Sequence, residues 1–210
     1  MKHIVYFSLL FVFNSTLLIS TSFTQTVTNG GVNGGPAGNS GIGAGNAPGW
    51  TVCGMSPDLL DVGFPSFFGG NSVAVCLSPE GGTWLGIAAL GECAQTTITG
   101  LTIGNNYTLY YCGASFGTGG IYNGSPSTPT ICVGGTCQTI SIPMAACTWN
   151  PYQLNFTATA ATMTLSATHS NGSNGYASLD GFNLTGPCSV TNCAITSMPI
   201  AMTNCYNTPF

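Results

Sequence analysis

The chain is built from short segments in which apolar and polar residues alternate, separated by polar turns. Residues 152–158 and 161–168 show this most clearly, because every second residue in each segment is apolar. A period of two places successive side chains on opposite faces of a β-strand. These two segments therefore predict a hairpin with one buried face.

Seven segments have this strand-like character and are rich in Val, Ile, Thr and Tyr, with Gly, Asn, Pro and Ser between them. No segment predicts a helix of ten or more residues. Short strands at this spacing are typical of two antiparallel sheets packed face to face. The sequence thus predicts an all-β sandwich from residues 71–77, 83–90, 94–99, 107–114, 152–158, 161–168 and 176–184.

Three regions are expected along the chain. Residues 1–24 begin with Lys2 and an apolar run and resemble a secretory signal peptide, since the run is shorter than the roughly 20 residues that a membrane span needs. Residues 25–187 form the predicted sandwich, in which glycine-rich residues 29–45 are expected to be an ordered loop. Residues 188–210 are expected to be a linker or the start of a following module.

Charge is nearly absent: 3% of the 210 residues are charged, and the formal net charge is −4. Lys2 is the only Lys or Arg, so the chain without its signal segment has a charge of −5 and no strong base. Contacts to phosphate require Lys and Arg. A nucleic-acid partner is therefore excluded. The signal-like segment indicates a location outside the cell or on its surface.

Ten cysteines follow the signal segment, as expected of a disulfide-bonded exported protein; zinc is not favoured because paired CxxC motifs are missing. Cys132 and Cys137 flank Gly134-Gly135, which reads as a two-residue hairpin turn. The cysteines then occupy opposite positions whose Cα atoms lie about 4.5 Å apart, within disulfide range. A Cys132–Cys137 bridge is predicted, and the other pairings stay open.

Several motifs in order resemble a known family. They include Asn29-Gly30, Pro48-Gly49-Trp50, and the stretches at 95–109, 149–158 and 176–182. This order is similar to that of galactose-binding-like jelly-roll domains, which include carbohydrate-binding modules of secreted Bacteroidetes surface proteins. The resemblance covers about residues 26–186 and implies a two-sheet jelly roll that binds carbohydrate.

The same resemblance implies a structural calcium ion. In such domains an acidic residue of the final strand helps to hold the ion, and Asp180 occupies that position. Backbone carbonyls of residues 29–33 are the implied co-ligands. The chain departs from the family where an acidic residue commonly follows the first Asn-Gly, because Val32 and Asn33 stand there. Asp180 as a simple acceptor of backbone hydrogen bonds is the alternative.

Uncharged sugar binding uses aromatic rings that stack on a pyranose and polar side chains that bind its hydroxyls. Tyr110 and Tyr111 must face opposite sides of their strand, so one of them is expected outside the core. Trp84 begins a strand beside two glycines that leave room for a ligand, with core packing as the alternative. The candidate contacts are Trp84, Tyr110, Tyr111, Phe116 and Tyr122.

Catalysis is not predicted. Residues 113–117 match the Gly-x-Ser-x-Gly string of a hydrolase nucleophile elbow, but that motif needs a strand followed by a helix, and an acid before a histidine. Here His169 precedes Asp180. The other acids are expected in a loop (Asp58, Asp61) or at water-facing strand ends (Glu80, Glu92).

Two functions are compatible with these features. The first is a non-catalytic module that binds a neutral polysaccharide or surface glycan and targets a larger exported protein, with further domains of the same chain as partners. The second is a structural or adhesive surface module with no small ligand. An exposed aromatic row would favour the first, whereas a surface of Thr, Ser and Asn alone would favour the second.

Overall fold

The computed structural model describes residues 24–38, 40–62, 77–88, 91–115, 126–145, 148–169 and 175–188. Within these ranges the chain forms eleven β-strands and no helix. The strands are β1 (Thr26–Val27), β2 (Thr51–Gly54), β3 (Asp58–Leu60), β4 (Trp84–Ala88), β5 (Cys93–Thr99), β6 (Asn106–Ala114), β7 (Pro129–Val133), β8 (Thr136–Thr139), β9 (Asn150–Thr157), β10 (Met163–His169) and β11 (Tyr176–Asn183).

The strands form two antiparallel sheets. Sheet A has the order β1-β5-β10-β7-β8, and β2 shares the β1 edge of β5. Sheet B has the order β3-β4-β11-β6-β9. The predicted all-β sandwich is confirmed. In the described ranges, no helix is long and apolar enough to span a membrane.

The predicted hairpin of residues 152–158 and 161–168 is wrong. The first segment is β9, which pairs with β6 in sheet B, and the second is β10, which pairs with β5 and β7 in sheet A. The turn between them crosses from one sheet to the other. Both strands bury their apolar residues, but they do so from opposite sides of the same core.

The main core lies between the sheets. It is closed at one end by Trp50, whose ring packs on Phe182 with centroids 5.4 Å apart. Burial of aliphatic side chains here supplies most of the stabilisation, at about 25 cal/mol per Å² of apolar surface. Its fully buried members include Leu59, Leu85, Ile87, Ile98, Leu109, Ile131, Ile142, Leu165 and Leu179.

A second cluster covers part of the outer face of sheet B, so that this sheet is buried on both sides there. β4 and β11 are therefore buried nearly continuously rather than at every second residue. We call this group the outer core; its members are Leu60, Trp84, Ala88, Cys112, Ala114, Trp149, Tyr176 and Cys188.

Six cysteines lie in the described ranges, and all of them form disulfides. Cys132 and Cys137 are opposite each other across β7 and β8, with Cα atoms 4.1 Å apart. The turn residues Gly134 and Gly135 both have positive φ, as a tight hairpin requires. The other two bridges are Cys53–Cys93, which joins β2 to β5, and Cys112–Cys188, which carries the folded unit at least to Cys188.

The glycine-rich segment before β2 forms a series of hydrogen-bonded turns. Asn29 organises them: its Nδ2 donates to the carbonyls of Asn33 and Pro48 at 2.8 and 2.9 Å, and its Oδ1 accepts from the Asn33 N–H. The expected signal segment up to residue 23, most of the predicted strand at 71–77, and residues 189–210 lie outside the described residues.

Candidate functional site

The neighbours Tyr110 and Tyr111 face opposite sides of β6, as the strand geometry predicts. Tyr111 is fully buried in the main core, where its ring stacks between Tyr152 and Phe182 at centroid distances of 5.8 and 5.5 Å. Burial raises the pKa of the Tyr111 hydroxyl well above its usual value. Tyr111 is therefore a packing residue that presents no surface to a ligand.

Tyr110 lies half-buried on the outer face of sheet B, beyond the outer core. Its cross-strand neighbours are Gln153 of β9 and Asn183 of β11. Two residues along, Thr108 donates a hydrogen bond to Asn155 Oδ1 at 2.8 Å. We call this set, Tyr110 with Thr108, Gln153, Asn155 and Asn183, the Tyr110 surface.

Tyr110 differs from the other described aromatic residues. Tyr107 stacks on Phe156 at 5.8 Å, and Tyr152 stacks on Tyr111 and donates from its hydroxyl to the Ser141 carbonyl. Tyr110 belongs to neither core. Among the described residues, it is the one aromatic side chain that packs in neither core.

Trp84 is 3% exposed and belongs to the outer core. It meets Trp149 edge to face, with ring centroids 5.9 Å apart. Trp149 Nε1 donates to the Leu77 carbonyl at 2.9 Å, which ties the segment at Leu77 to this pair. In this structure Trp84 packs rather than binds; Phe116 and Tyr122 lie outside the described residues.

Asp180 sits in the middle of β11 with its side chain fully buried on the outer face of sheet B. Ser78 donates a hydrogen bond from its hydroxyl to Oδ2, whereas Oδ1 has no hydrogen-bond partner of good geometry. Burial raises the pKa of Asp180 strongly and the Glu80 charge raises it further, whereas hydrogen bonds from Ser78 and from the backbone of Gly181 and Glu80 lower it. A buried carboxylate oxygen without a well-formed hydrogen bond is unusual in a folded protein.

The sequence reasoning did not identify Glu80 as part of this site. Its carboxylate lies beside Gly31 of the first loop and Gly181 of β11: a Cβ atom added to either glycine would be 2.9 Å or 3.2 Å from a Glu80 oxygen. A Cβ atom at either position would displace the end of the Glu80 side chain. In the sequence, the glycines at positions 31 and 181 were the available indication that a side chain lies between these segments.

A second polar cluster is buried where β3, β4, β5 and β11 meet. Asp58 accepts from the Tyr176 hydroxyl at 2.7 Å and from the Ser40 N–H at 2.7 Å, and Glu92 accepts from the Ala88 N–H at 2.6 Å. The expectation of a loop for Asp58 and a water-facing position for Glu92 is wrong, since both are buried. Satisfied hydrogen bonds make these carboxyls structural.

Glu92 makes stability depend on pH. Burial, with a smaller contribution from the Asp58 charge, raises the pKa of Glu92 from 4.5 to about 7. The folded state thus keeps a proton that the unfolded state releases, so this stabilisation is complete below pH 4.5 and is lost as the pH rises through about 7. We expect at most about 3 kcal/mol. Urea unfolding should give a lower free energy of unfolding at pH 8 than at about pH 4.5, and Glu92→Gln should reduce this difference. The same pH dependence in wild type and Glu92→Gln would contradict the prediction.

The Gly-x-Ser-x-Gly string lies only partly in the described ranges, which break off after Ser115. Ser115 follows antiparallel strand β6, and its hydroxyl lies 3.0 Å from that of Ser127. His169 ends β10 and is fully buried.

The outer face of sheet A is covered by hydroxyl side chains and carries no aromatic residue in its described strands. Three pairs of these hydroxyls lie 2.7–3.1 Å apart across neighbouring strands. The strand registers place on this face Thr26, Thr28, Thr51, Thr97, Thr99, Thr130, Thr139, Thr164, Ser166 and Thr168.

No family model and no curated protein matches this chain. Among solved structures, it is similar to the C-terminal domain of EclA, a sugar-binding protein, with 22% identity and a TM-score of 0.36 over 46% of this chain and 68% of that one. It is also similar to a family 35 carbohydrate-binding module from an environmental isolate, with 18% identity and a TM-score of 0.39 over 50% and 76%.

A third similar structure is an uncharacterized Listeria monocytogenes protein in complex with α- and β-D-glucose, magnesium and calcium. The identity is 19% and the TM-score 0.40, over 50% of this chain but only 9% of that protein. Carbohydrate-binding modules are thus among the structures similar to this chain, as the sequence resemblance predicts. Since every TM-score here is below 0.5, these likenesses assign no ligand to the chain.

Proposed function

We propose that this chain is a non-catalytic exported module that binds neutral carbohydrate at the Tyr110 surface and targets a larger exported protein to a polysaccharide or cell surface. The observation that carries the proposal is the position of Tyr110, outside both cores and among polar side chains on the outer face of sheet B. The disulfides support an oxidising, extracellular location.

The chemistry of this surface suits a pyranose ring. An aromatic ring offers an apolar face to the C–H side of a sugar, and amides bind its hydroxyls. The exposed Gln153 amide lies directly opposite Tyr110 and makes no hydrogen bond with other described residues, so its donors and acceptor are open to a ligand. Asn183 instead accepts hydrogen bonds from Thr185 and Gly186, and so shapes the edge of the surface.

A neutral ligand is favoured by the charge of the chain. Beyond the expected signal segment there is no Lys or Arg, so a uronic acid or a sulfated sugar would find no cationic partner. Hydrogen bonds from amides and hydroxyls do not depend on such a partner.

The proposal is tested by affinity electrophoresis and calorimetry with the oxidised chain from Gln25 onward against neutral and acidic polysaccharides. We expect micromolar to millimolar binding to a neutral glycan, weakened about fivefold by Tyr110→Ala, because an aromatic contact contributes about 1 kcal/mol. Tyr110→Phe should retain binding. Ile103→Ala is the matched control, because Ile103 is 65% exposed and is not part of the Tyr110 surface. Full binding by a folded Tyr110→Ala variant would refute the site.

A structural calcium ion at Asp180 is part of the same proposal. Asp180 Oδ1 is buried and lacks a partner, which fits an oxygen ligand of a hard cation. The first loop lies against this strand, since the Phe182 N–H donates to the Gly30 carbonyl at 2.9 Å. The carbonyls of residues 29–33 are the proposed co-ligands. Bound calcium would supply positive charge that ties the loop to the final strand.

The second candidate function is structural or adhesive, and the hydroxyl-covered outer face of sheet A favours it. This face offers hydrogen bonds without charge or aromatic rings, as expected of a surface that contacts other surfaces. A folded chain that binds no glycan in the screen above, yet adsorbs to polymer-coated beads and loses adsorption with Thr97→Lys, would favour this function over carbohydrate binding.

A further inference from the structure

Three separate parts of the chain meet at Asp180. They are the first loop, strand β11 and the turn at residues 78–82, which precedes β4. Two residues of this turn lie next to Asp180: Ser78 donates a hydrogen bond to its carboxylate, and a Glu80 oxygen lies beside Gly181, the next residue of β11. Glu80 retains contact with solvent on its other side.

The buried Asp180 carboxyl, with the exposed Glu80 carboxylate nearby, can be ionised only with a compensating charge. A buried charge is strongly destabilising unless a counter-ion, a proton or a metal neutralises it. Lys2 in the expected signal segment is the only Lys or Arg of the chain, and His169 lies in β10 of the other sheet. Within the described part of the chain, no basic side chain is therefore available to Glu80 and Asp180.

The available ligands are all oxygens. The described residues contain no group of three or more His, Cys, Asp and Glu side chains placed to hold a metal, so two carboxylates here would be completed by carbonyls and water. Such a mixed oxygen set, on loops as well as a strand, suits Ca²⁺, whereas Zn²⁺ prefers nitrogen and sulfur.

We propose that Glu80 is a ligand of the calcium ion at Asp180, and that the ion thereby holds the turn at 78–82 against β11 and the first loop. This inference rests on the calcium part of the proposed function and names its second carboxylate. The family that the sequence resembles commonly has an acid in the first loop, where Val32 and Asn33 stand here. Val32 is fully buried in the main core, and Glu80 supplies the charge from a different segment.

The ion also affects the segment at Leu77, which is hydrogen-bonded to the outer core. Leu77, three residues before Glu80, accepts the hydrogen bond from Trp149 Nε1. Loosening the turn at 78–82 therefore weakens the hydrogen bond that ties Leu77 to Trp149. Removal of calcium should increase access of solvent to these two indoles.

The test uses the oxidised chain from Gln25 onward, with CaCl₂ or EDTA, read by calorimetry, thermal unfolding and acrylamide quenching of tryptophan fluorescence. We expect a hundredfold excess of calcium over Kd to raise Tm by roughly 5–10 °C and to reduce quenching. Glu80→Gln should weaken calcium binding at least about tenfold. Asp61→Asn removes a carboxylate elsewhere and should behave as wild type.

Each of the other outcomes contradicts a different part of the proposal. If Glu80→Gln binds calcium as tightly as wild type while Asp180→Asn does not, the ion is present but Glu80 is not its ligand. If wild type shows neither binding nor a shift of Tm with calcium, the ion itself is refuted. Carbohydrate binding by Tyr110 is measured separately and can survive either result, so failure of this inference and failure of the sugar site are distinguishable.

Discussion

Replacing Cys112 and Cys188 together by alanine is expected to lower the free energy of unfolding by about 4 kcal/mol, roughly twice the loss for the Cys132–Cys137 pair. The Cys112–Cys188 bridge joins residues 76 apart in sequence, whereas Cys132 and Cys137 are 5 apart. A bridge that closes a longer loop removes more entropy from the unfolded chain. The long bridge also lies in the outer core, where its loss leaves a gap.

Urea unfolding of the two double variants under oxidising conditions measures this difference. The short-loop variant, Cys132→Ala with Cys137→Ala, is a matched control because it also removes one bridge but loses only about 2 kcal/mol in the same treatment. Equal losses would mean that loop closure does not decide the contribution of the long bridge. A chain shortened to end at residue 187 lacks Cys188 and should behave as the long-loop variant does.

Local pattern predicted most strands, but not their partners. Alternation identifies a strand with one buried face, and the hydrophobic residues of β9 and β10 obey it. Alternation carries no information on whether the next strand lies in the same sheet or the opposite one, because both arrangements bury the same residues. The Cys132–Cys137 bridge could be predicted because its geometry is set by a two-residue turn within one hairpin.

The candidate site could be predicted only in part for a similar reason. The sequence shows that Tyr110 and Tyr111 face opposite ways, but which of them faces the core depends on strands that lie far away in sequence. Trp84 is buried because segments outside its sheet cover the outer face of sheet B. The uninterrupted apolar run of β4 is the signal for a strand buried on both faces.

Glu80 illustrates the opposite case, in which a residue that looks solvated joins a buried one. It is separated by 100 residues from Asp180, and only the folded chain brings the two carboxylates together. The shortage of basic residues was visible from composition, yet its consequence appears only once a buried carboxylate is located. The composition shows that basic residues are scarce, but only the folded structure shows that Asp180 is the buried carboxyl that lacks one nearby.

Tyr111→Ala is expected to destabilise the fold by about 3–5 kcal/mol, in contrast to the small effect of Tyr110→Ala on stability. Tyr111 fills the space between Tyr152 and Phe182 in the main core, so truncation leaves a cavity. Any loss of sugar binding by Tyr111→Ala would follow from unfolding. Tyr110→Ala removes only a half-buried ring and should change binding at nearly unchanged stability.

Tyr111→Phe is the informative control for this pair. The buried Tyr111 hydroxyl has no hydrogen-bond partner among the described residues, so its removal deletes an unsatisfied polar group while keeping the ring. Removing such a group is neutral or stabilising. Urea unfolding should therefore rank Tyr111→Phe at or above wild type and Tyr111→Ala far below it. A destabilised Tyr111→Phe variant would show that the hydroxyl has a structural role, and the assignment of Tyr111 to apolar packing would fail.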